Sequence, residues 1–270
     1  MSSENFTGVG SERDDGGHRG LDVGQLNDRR DSRTNQHRAP KTSERIALDI
    51  VHDIVGRGLH TGDHLPLEAA MVEGYAVSRA SLREALRLLE VQGLIRMKPG
   101  PAGGPLVGAV DPANLARTAT LYFHLGAATY DQLMGAQALF EPMCAGLAAQ
   151  HLQRASAMAP FLEPAEHMTE EEFRHATFDL HRAVYTLAAN QVVSLVTQAI
   201  THIVTSHVNS SMDPVELRPA ILHEHSLLAR VIAGGQVDEA RRLMAEHFEA
   251  QHDYYRQHWP ERLHELIEWR

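Results

Sequence analysis

Two sets of side chains in this sequence have the types and the spacing to do chemistry. The first is the histidines: the chain has 18, and thirteen of them lie after residue 108. The second is a row of arginines four residues apart, Arg79, Arg83 and Arg87. Imidazoles bind divalent metal ions, and guanidinium groups bind phosphates and base edges. The two sets therefore predict a metal site and a nucleic-acid surface.

Spacing selects three of the histidines. His225 lies nine residues before a glycine pair at 234 and 235, and His247 lies twelve residues after that pair. If the pair turns one helix back on the next, a rise of about 1.5 Å per residue brings both imidazoles to the same depth within one helical turn. His181, on an earlier helical segment, completes a three-imidazole site that suits zinc, nickel or another first-row divalent ion. We predict one divalent metal held by these side chains.

Two enzyme classes are alternatives. A three-histidine site with an open coordination position also describes a metal-dependent hydrolase, for which Glu141 or Glu224 would supply the general base. A di-iron helical-bundle enzyme would use Glu-x-x-His pairs. Such pairs occur at Glu172/His175, Glu249/His252 and Glu261/His264. Neither alternative uses the arginine row.

Composition excludes several classes of protein. No stretch of the 270 residues approaches the roughly 18–20 uninterrupted apolar residues that a bilayer span needs, so no membrane partner is expected. The first twenty residues lack the apolar core of a secretion signal. The single cysteine, Cys144, cannot form an internal disulfide or a thiolate zinc site alone. We expect a cytoplasmic protein.

Charge divides the chain into three parts. Residues 1–40 carry seven acidic and six basic side chains among small polar residues, which is typical of a disordered tail. Residues 41–108 carry eight of each sign, and residues 109–270 carry eleven basic and twenty acidic side chains. Most of the net charge of −10 therefore belongs to the last part. A neutral front domain at 41–108 can approach a polyanion although the whole chain is acidic.

The front domain is predicted to contain three helices. Apolar residues at helical spacing from Ile46 predict a first helix of about twelve residues that stops at Gly56. A short second helix fits 67–73. A third begins at Arg79 behind the N-cap Ser78 and ends at a glycine, residue 93. A short helix, a tight turn and an arginine-bearing helix make a helix-turn-helix.

The residues after the third helix predict a wing. Residues 95–98 read as a strand, 99–105 as a turn rich in glycine and proline, and 106–107 as the returning strand. In this arrangement Arg79 and Arg83 read base edges in the major groove. Other contacts are expected to phosphates or to the minor groove. They are assigned to Ser78, Ser81, Arg45 and Lys98, and to the wing glycines Gly100 and Gly103.

The rear part, 109–270, predicts an antiparallel all-α bundle. Asp111 as N-cap and Pro112 as first helical residue start a new helix just after the wing. Further helical patterns are long, and the loops between them are short. The predicted helices are 112–125, 130–152, 170–188, 191–210, 215–233 and 236–258. The predicted fold class is mainly α, with an N-terminal winged helix-turn-helix and a C-terminal helical bundle.

The front domain resembles the winged helix-turn-helix of the GntR family of bacterial transcription regulators. The resemblance covers about sixty residues and rests on motifs that are typical of that family. They are Gly62-Asp63-His64-Leu65-Pro66-Leu67-Glu68, Val77-Ser78-Arg79, Arg83-Glu84-Ala85-Leu86, Leu89-Glu90 and Gly93-Leu94. The sequence departs from the family at Ala69, where many relatives carry a DNA-contacting arginine.

The rear part resembles the FCD ligand-binding domain of the FadR subfamily, a bundle of six or seven helices. The resemblance rests on Phe178-Asp179-Leu180-His181 with Asn190, on Glu224-His225, and on Ala240 to Met244 leading to His247. It implies a metal held by the three histidines and by an Asp four residues before the first. Thr177 stands in the place of that Asp. Asp179, two residues from His181, lies roughly 200° around the helix and replaces it poorly.

The resemblance also implies a function. It indicates a transcription regulator, expected to be a repressor, that binds a palindromic operator in double-stranded DNA as a homodimer and is not an enzyme. A small-molecule effector would bind in the bundle, either a carboxylate or a lipid-like acyl compound. Gln137 stands where many relatives have a carboxylate-binding arginine. The residues predicted to line the effector pocket are Gln137, Glu141, Thr177, Phe178 and Tyr185.

Overall fold

A computed structural model describes residues 41–100, 103–163, 168–209 and 215–269. The tail predicted at 1–40 lies outside these residues. The described chain is mainly helical, with one two-stranded sheet between the front and rear helices. The predicted fold class is confirmed. None of the described helices is both long and apolar enough to cross a membrane.

Three helices form the front of the molecule: α1 Thr42–Gly56, α2 Glu68–Gly74 and α3 Arg79–Val91. The apolar stripe of α1 and that of α3 form a common core, in which Ile50 and Leu82 are almost fully buried. The hydroxyl of Ser78 accepts a hydrogen bond from the backbone N–H of Ser81, which confirms the predicted N-cap. The second helix begins and ends one residue later than predicted.

The predicted wing is present. Strand β1, Ile95–Lys98, pairs antiparallel with β2, Gly104–Val107. The segment between α1 and α2 adds to the other edge of β2, because the Leu65 N–H donates to the Pro105 carbonyl at 2.9 Å. The wing is therefore anchored to the helices at its base.

The rear contains eight α-helices in the described residues. They are α4 Pro112–Leu125, α5 Tyr130–Ala148, α6 Arg154–Met158, α7 Glu170–Leu187, α8 Gln191–Ile203, α9 Arg218–Ala233, α10 Val237–His258 and α11 Pro260–His264. As predicted, α4 begins with Pro112 behind an Asp111 N-cap. Helix α5 lies centrally and packs along α10 and against α7 and α8. Two apolar clusters fill the bundle.

Some boundaries differ from the predictions. Helix α5 ends at Ala148 rather than at residue 152, and α8 passes at Val204 into a π-helical turn, Val204–Asn209. The pattern predicted at 215–233 starts as a 3₁₀ turn, Val215–Leu217, before α9. Helices α6 and α11 were not predicted, because five residues are too few to reveal a helical period.

The start of α4 packs closely on the end of α3. Arg117 on α4 donates from Nη2 to the backbone carbonyl of Val91, the last residue of α3, at 2.7 Å. Gly93 has a φ of 73°, and the side chain of Asn114 occupies the place where a Cβ would stand. A Cβ at Gly108 would lie 2.1 Å from the Gly93 carbonyl oxygen. At this junction the backbone at Gly108, before α4, therefore lies directly against the backbone at Gly93, after α3.

We expect Gly108→Ala to lower the free energy of unfolding by about 1–3 kcal/mol, because the added methyl group meets a backbone oxygen that cannot rotate away. Urea-induced unfolding followed by circular dichroism measures this. Gly74→Ala is the matched control, since a Cβ there meets no atom within 4 Å and lies in a helix. It should be neutral or slightly stabilising. Equal stability of the two variants would show that the junction is not tightly packed.

Candidate functional site

The first turns of α3 carry the side chains predicted to contact DNA. Arg79 and Arg83 are exposed and lie one helical turn apart. The Ser78 and Ser81 hydroxyl oxygens lie 2.9 Å apart at the helix start. The structure thus places the four predicted residues of this helix at its N-terminal end. Arginines in such a position can reach groove edges without obstruction from the helix itself.

Arg83 has a partner that the sequence did not reveal. Its Nε donates to the carboxylate of Glu68 on α2 at 3.0 Å, with the arginine side chain 69% exposed. The pair joins the two helices of the helix-turn-helix. An ion pair this exposed is worth about 0–1 kcal/mol, so a DNA phosphate or base can displace the carboxylate at little cost.

The other predicted DNA contacts surround this helix. Arg45 on α1 and Lys98 at the end of β1 are exposed. Gly100 in the wing turn is exposed, whereas Gly103 is buried and its N–H donates to the Gly100 carbonyl at 2.9 Å. The N–H of Gly103 is therefore used within the turn. Of the two glycines, the exposed Gly100 is the better placed to contact DNA. Pro101 and Ala102 lie outside the described residues.

The three selected histidines converge in the rear bundle. His181 on α7, His225 on α9 and His247 on α10 are all buried. One ring nitrogen from each lies within 4.8 Å of the other two, and the Nε2 atoms of His225 and His247 are 3.4 Å apart. Helices α9 and α10 are joined by the glycine pair, which gives the equal depth expected from the spacing.

Two carboxylates stand behind this histidine cluster. A Glu224 oxygen lies 2.6 Å from His247 Nδ1, and a Glu141 oxygen lies 3.6 Å from His181 Nδ1. The Glu224 carboxylate is close enough to hold the proton on His247 Nδ1, so that Nε2 presents a lone pair. The Glu141 oxygen is too far from His181 Nδ1 for a hydrogen bond, and neither atom has a hydrogen-bond partner among the described residues. Glu224 thus contacts a ring nitrogen instead of standing free as a general base. The sequence places Glu224 directly before His225, but it does not reveal the contact of Glu224 with His247.

Thr177 lies one turn before His181 and has no carboxylate to offer. Its hydroxyl oxygen is buried without a hydrogen-bond partner among the described residues. Asp179 is engaged elsewhere, since it accepts a hydrogen bond from Arg182 at 2.8 Å. The cluster therefore contains three imidazoles and an unpaired hydroxyl where a fourth ligand would be expected.

Burial lowers the pKa of two histidines of the cluster, His225 and His247. Desolvation, followed by repulsion from His247 and His181, holds the pKa of His225 well below its ordinary value. Desolvation also lowers the pKa of His247, although the hydrogen bond with Glu224 opposes the shift. A neutral imidazole is the form that binds a metal ion. The environment that disfavours protons therefore favours metal coordination.

A cavity of about 470 Å³ reaches the histidine cluster at His181. Of the predicted pocket residues, four line it: Gln137, Thr177, Phe178 and Tyr185. The fifth, Glu141, lies fully buried behind the wall, where it accepts hydrogen bonds from the Tyr185 and Thr201 hydroxyls. Burial and the neighbouring Glu141 raise the pKa of Tyr185 well above its ordinary value.

The cavity wall is mostly uncharged. Amides, hydroxyls and aromatic rings dominate it, and His181 of the histidine cluster lies at its surface. The lining also includes Asp111, Pro112 and Ala113, where α4 begins. The amides and hydroxyls are those of Gln137, Gln198, Gln251, Thr177, Thr201 and Thr205, and the phenylalanine rings those of Phe173, Phe178 and Phe248.

The Glu-x-x-His pairs of the di-iron alternative do not assemble. Within the described ranges, the three buried histidines are the one group of His, Cys, Asp or Glu side chains close enough to hold a metal. His252 instead pairs with Asp131 at 2.9 Å, and Glu172 accepts hydrogen bonds from Thr169 at the start of α7.

Comparisons with known proteins match both parts of the chain. Residues 42–102 match the model of bacterial regulatory proteins of the gntR family, and residues 132–250 match that of the FCD domain. A Streptococcus agalactiae GntR structure superposes with a TM-score of 0.57 at 18% identity, covering 78% of this chain and 99% of its own. A GntR-family regulator from Pseudomonas syringae pv. tomato gives a TM-score of 0.37 at 19% identity, covering 82% and 88%.

The similarity to the streptococcal structure concerns the fold, whereas the two family models identify the domains. Regulators built from these two domains are DNA-binding transcription factors and not enzymes, so the hydrolase and di-iron alternatives are wrong. The chain belongs to the GntR family of bacterial transcription regulators and carries an FCD domain behind its winged helix-turn-helix.

Proposed function

We propose that this regulator is a repressor of the FadR subfamily, which binds a palindromic operator as a homodimer in the cytoplasm and responds to a small molecule in its FCD domain. The observation that carries the proposal is the start of α4, which packs on the end of α3 through Arg117 and also lines the rear cavity. One helix thus connects the DNA-reading element with the ligand site.

The exposed N-terminal turns of α3 support the assignment of the reading residues. Arg79 and Arg83 would donate pairs of hydrogen bonds to guanine O6 and N7 in the major groove. Ser78 and Ser81 at the helix start, with Arg45 and Lys98 beside it, would bind phosphates. Gly100 would bring the wing to the minor groove. The acidic rear would be repelled by DNA and would leave the neutral front to make the contact.

The histidine cluster supports a metal of the zinc or nickel class. His181, His225 and His247 supply three nitrogen ligands, and Glu224 orients the ring of His247. When bound, the ion would join α7, α9 and α10 and offer an open coordination position. Thr177 would leave that position to water or to the effector, because its hydroxyl is a weaker ligand than a carboxylate.

The cavity supports an effector with one polar end and one apolar part. Phe173, Phe178 and Phe248 offer apolar surface for a lipid-like or acyl body. The amides of the lining and the metal site would bind a carboxylate or another oxygen-bearing group. Such a ligand shifts the regulator between DNA-competent and DNA-incompetent states only if its affinity for them differs. Contact with Asp111 and Pro112 at the start of α4 offers such a difference.

Arg83→Ala should weaken binding to the selected operator about thirtyfold or more, because a dimer on a palindrome loses two bidentate contacts to guanine, each contributing about 1–3 kcal/mol. Duplexes are first selected from a random library with the wild-type protein, and affinities are then measured by fluorescence anisotropy. Arg57→Ala is the matched control, since it removes the same charge from an exposed arginine outside α3. Operator affinity unchanged in Arg83→Ala would contradict the assigned reading helix.

Metal analysis of purified protein dialysed against zinc or nickel should find one ion per chain. The double variant His225→Ala/His247→Ala should contain none, and Glu224→Gln should bind the ion about tenfold to hundredfold more weakly, because Glu224 lies within hydrogen-bonding distance of His247 Nδ1. His252→Ala is the control, because this histidine is also buried but pairs with Asp131 outside the cluster. A full metal content in the double variant would remove the proposed site.

Metal-stripped protein should lose stability as the pH falls below about 6.5, the ordinary pKa of histidine. The folded protein holds His225 with a lowered pKa, so the unfolded chain binds more protons below that pH and is favoured. Thermal unfolding between pH 8 and pH 5 measures the effect. His225→Gln should show a shallower pH dependence than the wild type. An equal slope in both proteins would contradict the buried neutral imidazole.

A further inference from the structure

The wall of the rear cavity contains a set of hydrogen bonds that end on one buried carboxylate. Glu141 has no exposed surface, and one of its oxygens accepts hydrogen bonds from the Tyr185 hydroxyl and, at 2.8 Å, from the Thr201 hydroxyl. Tyr185 and Thr201 both line the cavity. These two side chains therefore connect a carboxylate outside the lining with the space that a ligand would occupy.

The hydroxyl protons at this part of the wall are already used within the protein. A hydroxyl group has one proton to donate, and those of Tyr185 and Thr201 are donated to Glu141. Thr205 donates its proton to the backbone carbonyl of Thr201 at 2.8 Å. The Gln137 amide nitrogen donates to the Thr201 hydroxyl at 3.2 Å, which leaves the Gln137 carbonyl oxygen for a ligand. These four lining side chains therefore offer a ligand mainly acceptor oxygens.

Glu141 would be left without hydrogen bonds if a ligand took these protons. Its second oxygen is buried without a hydrogen-bond partner among the described residues, so the hydrogen bonds of this carboxylate come from the two hydroxyls. A buried carboxylate that loses its hydrogen bonds is strongly disfavoured. A ligand carboxylate would compete for the same protons and would also stand close to a like charge.

The cavity lining offers an anion little positive charge. Among the described residues of the lining, the one guanidinium or ammonium group is that of Arg182, which donates to Asp179 at 2.8 Å and has a 73% exposed side chain. Asp111 adds a carboxylate to the same lining. The amides of Gln198 and Gln251 carry donors and an acceptor but no charge. An anionic group in the cavity would therefore lose its hydration without gaining an unpaired guanidinium or ammonium group.

We propose that the effector is an uncharged compound with a hydroxyl group at its polar end and an apolar body, and that Glu141 sets this preference from behind the cavity wall. The inference rests on the effector site of the proposed function and narrows its ligand class. A hydroxyl group can donate its proton to the oxygens of Gln137 and Tyr185, which a carboxylate cannot do. The phenylalanine rings of the lining contact the apolar body.

The arrangement favours an alcohol over an amine as well. Glu141 lies behind Tyr185 and Thr201 and is not itself in the lining, so an ammonium group would exchange its hydration for contacts with neutral oxygens. Asp111, the carboxylate of the lining, is exposed to solvent and accepts a hydrogen bond from the first turn of α4. A hydroxyl group makes the same contacts with the wall and has no charge to desolvate.

The test compares three probes with the same alkyl chain, 1-octanol, octanoate and octylamine. Their affinities for the full-length protein are measured by isothermal titration calorimetry at neutral pH, after dialysis against a chelator so that no ion attracts the carboxylate. The wild type should bind 1-octanol about tenfold or more tightly than either charged probe. A charged probe that binds as tightly as 1-octanol, or binding of none of the three, would overturn the inference.

Glu141→Gln should reduce the preference for 1-octanol over octanoate about tenfold. The substituted amide can donate to one of the two hydroxyls, whose own proton then becomes available to a ligand carboxylate. A packing defect alone would weaken both probes together. Glu246→Gln removes the same charge from an exposed residue outside the lining and should keep the wild-type preference. An unchanged preference in folded Glu141→Gln would overturn the assigned role of Glu141.

Tyr185→Phe provides a second variant, in case Glu141→Gln is poorly folded by circular dichroism. It removes one acceptor oxygen from the wall, so it should weaken 1-octanol about threefold or more and leave octanoate unchanged. Equal losses for both probes would contradict the proposed contact.

Binding to duplex DNA is measured separately. A preference for 1-octanol in a protein that binds no duplex would refute the proposed function and leave the assigned ligand class. Release of operator DNA by octanoate, with 1-octanol inactive, would do the reverse.

Discussion

The contact between the end of α3 and the start of α4 is the interaction on which the rest of the structure depends. The Arg117 guanidinium satisfies the terminal carbonyl of the reading helix, and two glycine positions let the backbones approach. The start of the same helix, at Pro112 and Ala113, also lines the cavity. In the proposed function, DNA binding and ligand binding are coupled through this one helix.

Burial determines the chemistry of the rear site. Three buried imidazoles lie close together, with one ring nitrogen of each near the other two, and burial lowers the pKa of His225 and His247. The Glu224 carboxylate at Nδ1 sets the orientation of the His247 ring. Thr177, one turn before His181, has an unpaired hydroxyl in place of a carboxylate, and both residues line the cavity. Under the proposed function, the effector and the metal would therefore share one boundary.

Much of this arrangement could be predicted from the sequence. Helix α4, the wing and the Ser78 cap follow from local signals, and the convergence of His225 with His247 follows from counting residues across a glycine turn. Local patterns did not reveal the pairing of Arg83 with Glu68, because it joins residues fifteen apart on two helices. The burial of Glu141 behind the cavity wall and of Gly103 in its turn depends on tertiary packing in the same way.

Hydroxyl-radical footprinting of the wild-type protein on a duplex selected from a random library tests the central claim most directly. Two reading helices held by one dimer should protect two symmetry-related segments whose centres are about 34 Å apart, one turn of DNA. Protection of a single unsymmetrical segment, or no protection by correctly folded protein with or without added metal, would contradict the account.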